Sequence, residues 1–331
     1  MKLKLGIVGA TGMVGRVMMK ILEKEKILFD LYLSASHRSI GNEIFFKGKS
    51  YKIIGINELI LKKPDIVLFS AGSIISKNWA EKFFEIGSYV IDNSSAWRMD
   101  PEKKLIIPEI NSFLLEKKDK IIANPNCSTI QLAMILNPLH KIFSIKRVIV
   151  STYQSVTGTG KKALDQLEEE KLKGFSKKKI YPYKIHQNVI PQCDSFLKNG
   201  YTIEEMKLIN ETKKIINDNS ISITATSVRV PVIGGHSESV NITFRKNVKI
   251  NYIKEILNKT KGVIVQDDPV NNIYPMPIFS HGKDEVFVGR IRKDNSCKNS
   301  INIWIVSDNL RKGSATNAIQ IAKFLIEKKY V

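Results

Sequence analysis

Cys127 stands in Asn124-Pro-Asn-Cys-Ser-Thr129, directly before a run with a helical apolar period from Ile130 to Phe143. A thiol at a helix N-terminus is favoured as the thiolate, because the macrodipole and the first-turn N–H groups stabilise an anion. The thiolate is the nucleophilic form. Ser128 and Thr129 offer hydroxyls as caps for that helix. Cys193 and Cys297 have no such setting and read as buried structural cysteines. His236 lies in a glycine loop, Gly234-Gly-His-Ser-Glu-Ser239, between two strand-like runs. A neutral imidazole mounted there can act as general acid and base, or can simply be solvated. The other four histidines lack a comparable setting, and no two are spaced as a metal pair, so no metal is expected.

Three cations add to these two groups. Arg229 sits among apolar neighbours in the strand-like Ala225-Thr-Ser-Val-Arg-Val-Pro-Val232 and needs an anionic partner, either a protein carboxylate or a substrate carboxylate. Arg98 follows a strand in Asp92-Asn-Ser-Ser-Ala-Trp-Arg-Met-Asp100, in the company of hydroxyls and an amide suited to anion binding. Lys207 lies on a helix opened by the capping box Thr202-x-x-Glu205. There Glu204, Lys207 and Glu211 share one face, which by pattern reads as a solvated ion-pair face.

The elements that must position these residues fall into two textures. Residues 3 to 8 form an apolar strand, followed at once by Gly9-Ala-Thr-Gly12-Met-Val-Gly15 and by a helical period over Val14, Val17, Met18, Ile21 and Leu22. A glycine run in the first strand-to-helix turn lets backbone N–H groups approach a pyrophosphate, or makes a tight turn with no ligand. The second strand, Leu31 to Ala35, ends in Ser36-His-Arg-Ser39, with no acid between Leu31 and Asn42. An NAD site places a carboxylate there, so Arg38 and its flanking hydroxyls point to NADP. Further strands at Asp65 to Ser70 and Tyr89 to Asp92, with an amphipathic stretch at Trp79 to Phe84 between them, predict a parallel sheet covered on both faces. From residue 147 onward the strands lengthen and become β-branched (Arg147 to Tyr153, Ser222 to Val230, Val240 to Phe244), around a Lys-rich excursion from about 171 to 194. Ala315 to Ile326 has a clean helical period. The expected fold is α/β: a Rossmann-type dinucleotide-binding domain over 1–128, on which a final helix (313–331) packs back, plus an α+β domain with a mixed sheet over 129–312.

Composition sets the outer bounds. The 331 residues are 43% hydrophobic and 25% charged, as in ordinary globular proteins, and no apolar run approaches the roughly 18 residues that span a bilayer. The first residues enter a strand pattern at once, with no apolar signal core, and three scattered cysteines suit a reduced, cytoplasmic setting. The net charge of +20 is carried mostly by lysine, with only nine arginines among 52 basic residues. Without a basic tail or a nucleic-acid-binding motif it reads as a lysine-coated surface, not as a nucleic-acid site.

Seven segments together resemble the aspartate-β-semialdehyde dehydrogenase family, through nearly the whole chain: GATGMVG (9–15), DNSSAWRMD (92–100), NPNCSTI (124–130), STYQSVTGTG (151–160), EEMKLINETKKI (204–215), SVRVPVIGGHSESV (227–240) and ATNAIQIA (315–322). The resemblance implies NADP-dependent reductive dephosphorylation of 4-phospho-L-aspartate to L-aspartate 4-semialdehyde, on the route to lysine, threonine and methionine. It implies Cys127 as the nucleophile that forms an acyl-thioester, His236 as the acid–base group and Gln154 as the residue that orients the acyl group. Arg229 would hold the substrate carboxylate, and Arg98 and Lys207 the phosphate, with Glu204 and Asn126 nearby. Gly9, Thr11, Gly12, Met13, Val14, Arg38, Ser39, Thr157, Gly158 and Gln320 would contact NADP. Thr157 stands where the family often has Ser, and the stretch 171 to 179 is atypical and has no assigned role. The resemblance also implies a catalytic and dimerisation role for the domain over 129–312. The implied partners are the small-molecule substrate, phosphate and a second copy of the chain, in a homodimer. Other acyl-phosphate reductases share the Cys–His logic and differ around the nucleophile and the substrate-binding strand.

Overall fold

Short runs that are apolar at every position can be satisfied only in a sheet covered on both sides, and the first unit is built from such runs. The computed structural model describes residues 2–331, and the chain divides into Met1–Asn126 with Ser314–Val331, and Cys127–Gly313. In the first unit β1 (Leu3–Val8), β2 (Phe29–Ser34), β3 (Glu43–Phe46), β4 (Lys49–Ile54), β5 (Ile66–Phe69), β6 (Tyr89–Asp92), β7 (Lys104–Leu105) and β8 (Ile121–Ala123) form one sheet in the order β3-β4-β2-β1-β5-β6-β8-β7. All neighbours are parallel except the β3–β4 pair. Successive residues feed opposite faces. Ile7, Leu68 and Ile91 join a core with Met18 and Leu22 of helix α1 (Met13–Lys24) and with Ile319 and Leu325 of the last helix, Thr316–Glu327. Val8, Val67, Phe69 and Val90 pack on the other face with Leu59 of α2 (Ile56–Leu61) and Phe83 of α3 (Ser73–Glu85). A short α4 (Pro108–Asn111) completes the unit.

The second unit carries α5 (Cys127–Phe143), α6 (Lys161–Lys173), α7 (Ile203–Ile216), α8 (Ile250–Asn258) and α9 (Pro277–Ser280). Its sheet joins β9 (Ile145–Gln154), β10 (Ser222–Arg229), β11 (His236–Phe244), β12 (Val263–Val265), β13 (Val286–Lys293) and β14 (Ser300–Ser307) in the order β10-β9-β11-β14-β13-β12. The end pairs are parallel and the central ones antiparallel, which makes the sheet mixed. Here the strands alternate. Val150, Thr152, Gln154, His236, Glu238, Val240, Ile303 and Ile305 are buried, and α5 packs against β9, β11 and β14. Ser151, Tyr153, Ser239, Asn241, Asn302 and Trp304 occupy the less buried alternate positions.

Three local expectations need correction. The helix begins at Cys127 itself, so Ser128 and Thr129 lie inside its first turn and are not its caps. His236 is the first residue of β11 and not a loop residue, because the turn is completed by Gly234 and Gly235, both with positive φ. Cys297 is exposed, whereas Cys193 is buried and its thiol is pushed up to about 12, chiefly by that burial. The Lys-rich excursion is pinned from beneath. Gln166 Oε1 accepts from the N–H groups of Ile180 and Tyr181, and Glu170 Oε2 from those of Ile185 and His186. The division between the units falls at 126/127 and 313/314, a residue or two from the borders drawn at 128 and 312, because the chain enters α5 at Cys127.

Candidate active site

A chain of hydrogen bonds in the second unit joins the start of α5 to the start of β11. Gln154, at the end of β9, donates from Nε2 to Ser128 Oγ (3.1 Å), beside Cys127, and to Glu204 Oε1 (3.2 Å). The next residue, Ser155, donates its backbone N–H to His236 Nδ1 (3.1 Å). An amide N–H is an obligatory donor, so Nδ1 accepts, and this assigns the neutral ring's proton to Nε2. Nε2 is fully buried and has no partner among the described residues, and the imidazole is pushed down to about 3 by burial first and by the Arg229 charge second. His236 is therefore a neutral ring that presents one N–H.

Glycines leave room around both candidate groups. A Cβ at Gly158 would come within 3.1 Å of His236 Nε2 and 3.0 Å of the Arg229 guanidinium, and one at Gly313 within 2.9 Å of Cys127 Cβ. Thr157 turns its hydroxyl inward, to Ser155 Oγ (2.7 Å) and Asn309 Oδ1 (3.2 Å). Asn309 Oδ1 also accepts from Ser155 Oγ and from Gly235 N–H, and so ties the loop after β9 to the turn before His236.

Arg229 is buried and has no carboxylate within ion-pair distance among the described residues. It donates to the Ser155 carbonyl (2.7 Å), lies over the Tyr181 ring at 6.0 Å, and leaves Nε without a partner. Of the two partners expected for it, the protein carboxylate is missing. Lys207 lies between Asp194 (2.9 Å) and Glu204 (3.3 Å). Burial would raise the Asp194 carboxyl, but Lys207 and the Ser195 N–H outweigh it and hold the group below the usual carboxylate range. Glu204 and Glu211 are buried, so this face is not the solvated one that its spacing suggests. The capping box is formed: Glu205 N–H donates to Thr202 Oγ1 (3.3 Å), and Thr202 N–H to Glu205 Oε2 (2.6 Å).

In the first unit, Gly9 has φ +90°, and a Cβ there would run into the Ser70 carbonyl; one at Gly15 would run into that of Gly9. Gly12 caps α1, whose first turn holds no acid, so Thr11, Met13 and Val14 lie at a helix start open to an anion. Arg38 and Ser39 form a short 3-10 turn after β2, and Arg38 is exposed. Gln320 donates to Glu109 Oε1 (3.0 Å). Arg98 donates to the carbonyls of Asn124 (2.9 Å) and Asn93 (2.7 Å). Asn124 Oδ1 accepts from Asn317 (2.6 Å), and Asn126 is buried. Ser155, Asn309, Gly313 and Asn317 carry no sequence signal of their own, since their roles come from contacts distant in the chain. Among the described residues no group of three or more His, Cys, Asp and Glu side chains is arranged to hold a metal.

Family models match in two parts: a semialdehyde dehydrogenase NAD-binding domain over residues 4–118, and a semialdehyde dehydrogenase dimerisation domain over 136–312. The aspartate-semialdehyde dehydrogenase of Aquifex aeolicus is 48% identical, over 98% of each chain, and that of Bacillus subtilis 44% identical, over 98% of this chain and 97% of the relative. The chain belongs to the aspartate-semialdehyde dehydrogenase family. A crystal structure of aspartate-semialdehyde dehydrogenase II from Vibrio cholerae, complexed with ASA, matches with a TM-score of 0.94 and 40% identity over 99% of each chain. The Rossmann-type domain and the mixed-sheet domain expected from the strand pattern are thus those of this oxidoreductase family, and the first is a pyridine-nucleotide-binding domain. Among the described residues no helix is long and apolar enough to cross a membrane.

Proposed function

We propose that the chain catalyses NADP-dependent reductive dephosphorylation of 4-phospho-L-aspartate to L-aspartate 4-semialdehyde through an acyl-thioester on Cys127, in the cytoplasm, on the route to lysine, threonine and methionine. The observation that carries this reading is the hydrogen-bond chain Ser128–Gln154–Ser155–His236, which links a thiol at a helix start to a neutral buried imidazole. Cys127 Sγ attacks the acyl-phosphate carbonyl. The C–S bond forms as the C–O bond to phosphate breaks, and phosphate leaves with the electron pair. Arg98 and Lys207 are the cations assigned to that anion, with Asn126 and Glu204 in support. Arg229, buried without a carboxylate partner, suits the α-carboxylate of the substrate.

The first unit fits NADP by its own residues. The glycine run would hold the pyrophosphate, and Arg38 and Ser39 would hold a 2′-phosphate at the end of β2, where an NAD site has an acid. Thr157, Gly158 and Gln320 complete the assigned set. When bound, NADPH supplies the hydride that reduces the thioester carbon. The N–H at His236 Nε2 would donate a hydrogen bond to the tetrahedral oxyanion and keep its proton, while the carbonyl re-forms and sulfur departs with the C–S pair. We also propose a homodimer, joined through the open face of the second sheet, where the rings of Tyr153 and Trp304 lie 5.4 Å apart.

The deciding experiment measures NADP reduction with L-aspartate 4-semialdehyde and phosphate. Phosphate-dependent turnover that falls on the order of 1,000-fold or more in Cys127→Ala is the expected result. Turnover only with N-acetylated glutamate semialdehyde would overturn the substrate, and turnover that survives the substitution would overturn the nucleophile.

A further inference from the structure

Glu238 is the one carboxylate on the inner face of β11, two residues from His236, and it is fully buried. Both its oxygens lack a hydrogen-bond partner, and no cation offsets it among the described residues. An ionised carboxylate cannot be kept in such a place, so the group is a neutral acid; burial pushes its pKa well above the usual range. The side chain that faces it is Gln131 of α5, also buried, near enough to favour its charge but not in hydrogen-bonding geometry, with Nε2 likewise unpartnered.

These two residues repeat the spacing of the reactive pair. Cys127 and Gln131 are four apart on one face of α5, about 6 Å along the helix. His236 and Glu238 are two apart on one face of β11, about 6.7 Å along the strand. Helix and strand are packed against each other and Glu238 faces Gln131, so these two form a rung four residues along α5 from Cys127 and two along β11 from His236. A neutral carboxyl and a primary amide are complementary, since each offers a donor and an acceptor. We propose that Glu238 is a positioning residue that, with Gln131, sets the spacing of His236 from Cys127. The inference rests on the catalytic roles proposed above for those two side chains.

The test compares Glu238→Ala, Glu238→Gln and Gln131→Leu by steady-state turnover of L-aspartate 4-semialdehyde and by the rate at which iodoacetamide alkylates Cys127. Glu238→Ala should lower kcat on the order of 10- to 100-fold with little change in KM, and should slow alkylation, because the displaced ring carries its N–H dipole away from the thiolate, whose charge that dipole favours without a hydrogen bond. Glu238→Gln, which keeps the rung with an amide, should recover most of both losses. If Glu238→Ala does not fold, Gln131→Leu cuts the same rung from the other side and should show the same losses. Wild-type rates in Glu238→Ala or Gln131→Leu overturn the proposal, as does a Glu238→Gln as slow as Glu238→Ala. Alkylation needs no substrate. A wild type inactive on the semialdehyde, with the alkylation pattern as expected, therefore refutes the proposed function and leaves the rung standing.

Discussion

His236 enters β11 fully buried, held at Nδ1 by the Ser155 N–H, with its pKa down at about 3. Its ordinary value is 6.5, so between these limits the unfolded chain binds a proton that the native ring does not. The stabilisation is present in full above pH 6.5 and is lost as pH falls towards 3, with a slope of up to about 1.4 kcal/mol per pH unit. Thermal unfolding over a pH series should show this slope between pH 6.5 and 5 in the wild type and a flatter one in His236→Asn; equal slopes would mean that the ring is not buried in its neutral form. At this scale residue types were readable and states were not. Cys127 and His236 stand out in the chain by their neighbours, whereas the tautomer of His236 depends on an amide 81 positions away.

Helix α7 shows what an element adds. Its capping box is written in Thr202 and Glu205, and the structure forms both reciprocal bonds. Glu205 goes further: its Oε1 accepts from the Ser227 N–H (2.8 Å), which fastens the helix to β10. Glu204 and Lys207 lie in the first two turns, so the cap also fixes their place. Thr202→Ala should cost about 1 kcal/mol in urea unfolding, with Thr202→Ser close to wild type; an alanine variant of unchanged stability would show that the cap contributes nothing here. The i, i+3, i+7 pattern of Glu204, Lys207 and Glu211 is equally consistent with a wet face or a buried one. Burial was decided by α5 and β10, against which α7 packs.

For the whole molecule, the second sheet closes one face with α5 and leaves Ser151, Tyr153, Ser239 and Trp304 on the other. Ser239 lies on β11, opposite Ser151 and Trp304, and is exposed, so a larger charged residue there fits the folded chain but not a second copy laid across it. In sedimentation the wild type should run as a dimer and Ser239→Arg as a monomer; a dimeric variant would move the interface off this face. The two-unit plan was legible because period and composition are local properties: apolar strands alternating with helical periods predict a doubly covered sheet, and the longer, β-branched strands from residue 147 onward a second, mixed one. The places of the glycine run in a strand-to-helix turn, of Arg38 after β2 and of Cys127 at a helix start were legible for the same reason, since each is formed by neighbours in the chain. Asn309 bridging two loops, Arg229 buried without a carboxylate and Glu238 buried two residues from His236 were not. Their chemistry depends on which segments meet across the sheet and on how much water is excluded there, and pairwise contact and desolvation exist only once the chain has folded.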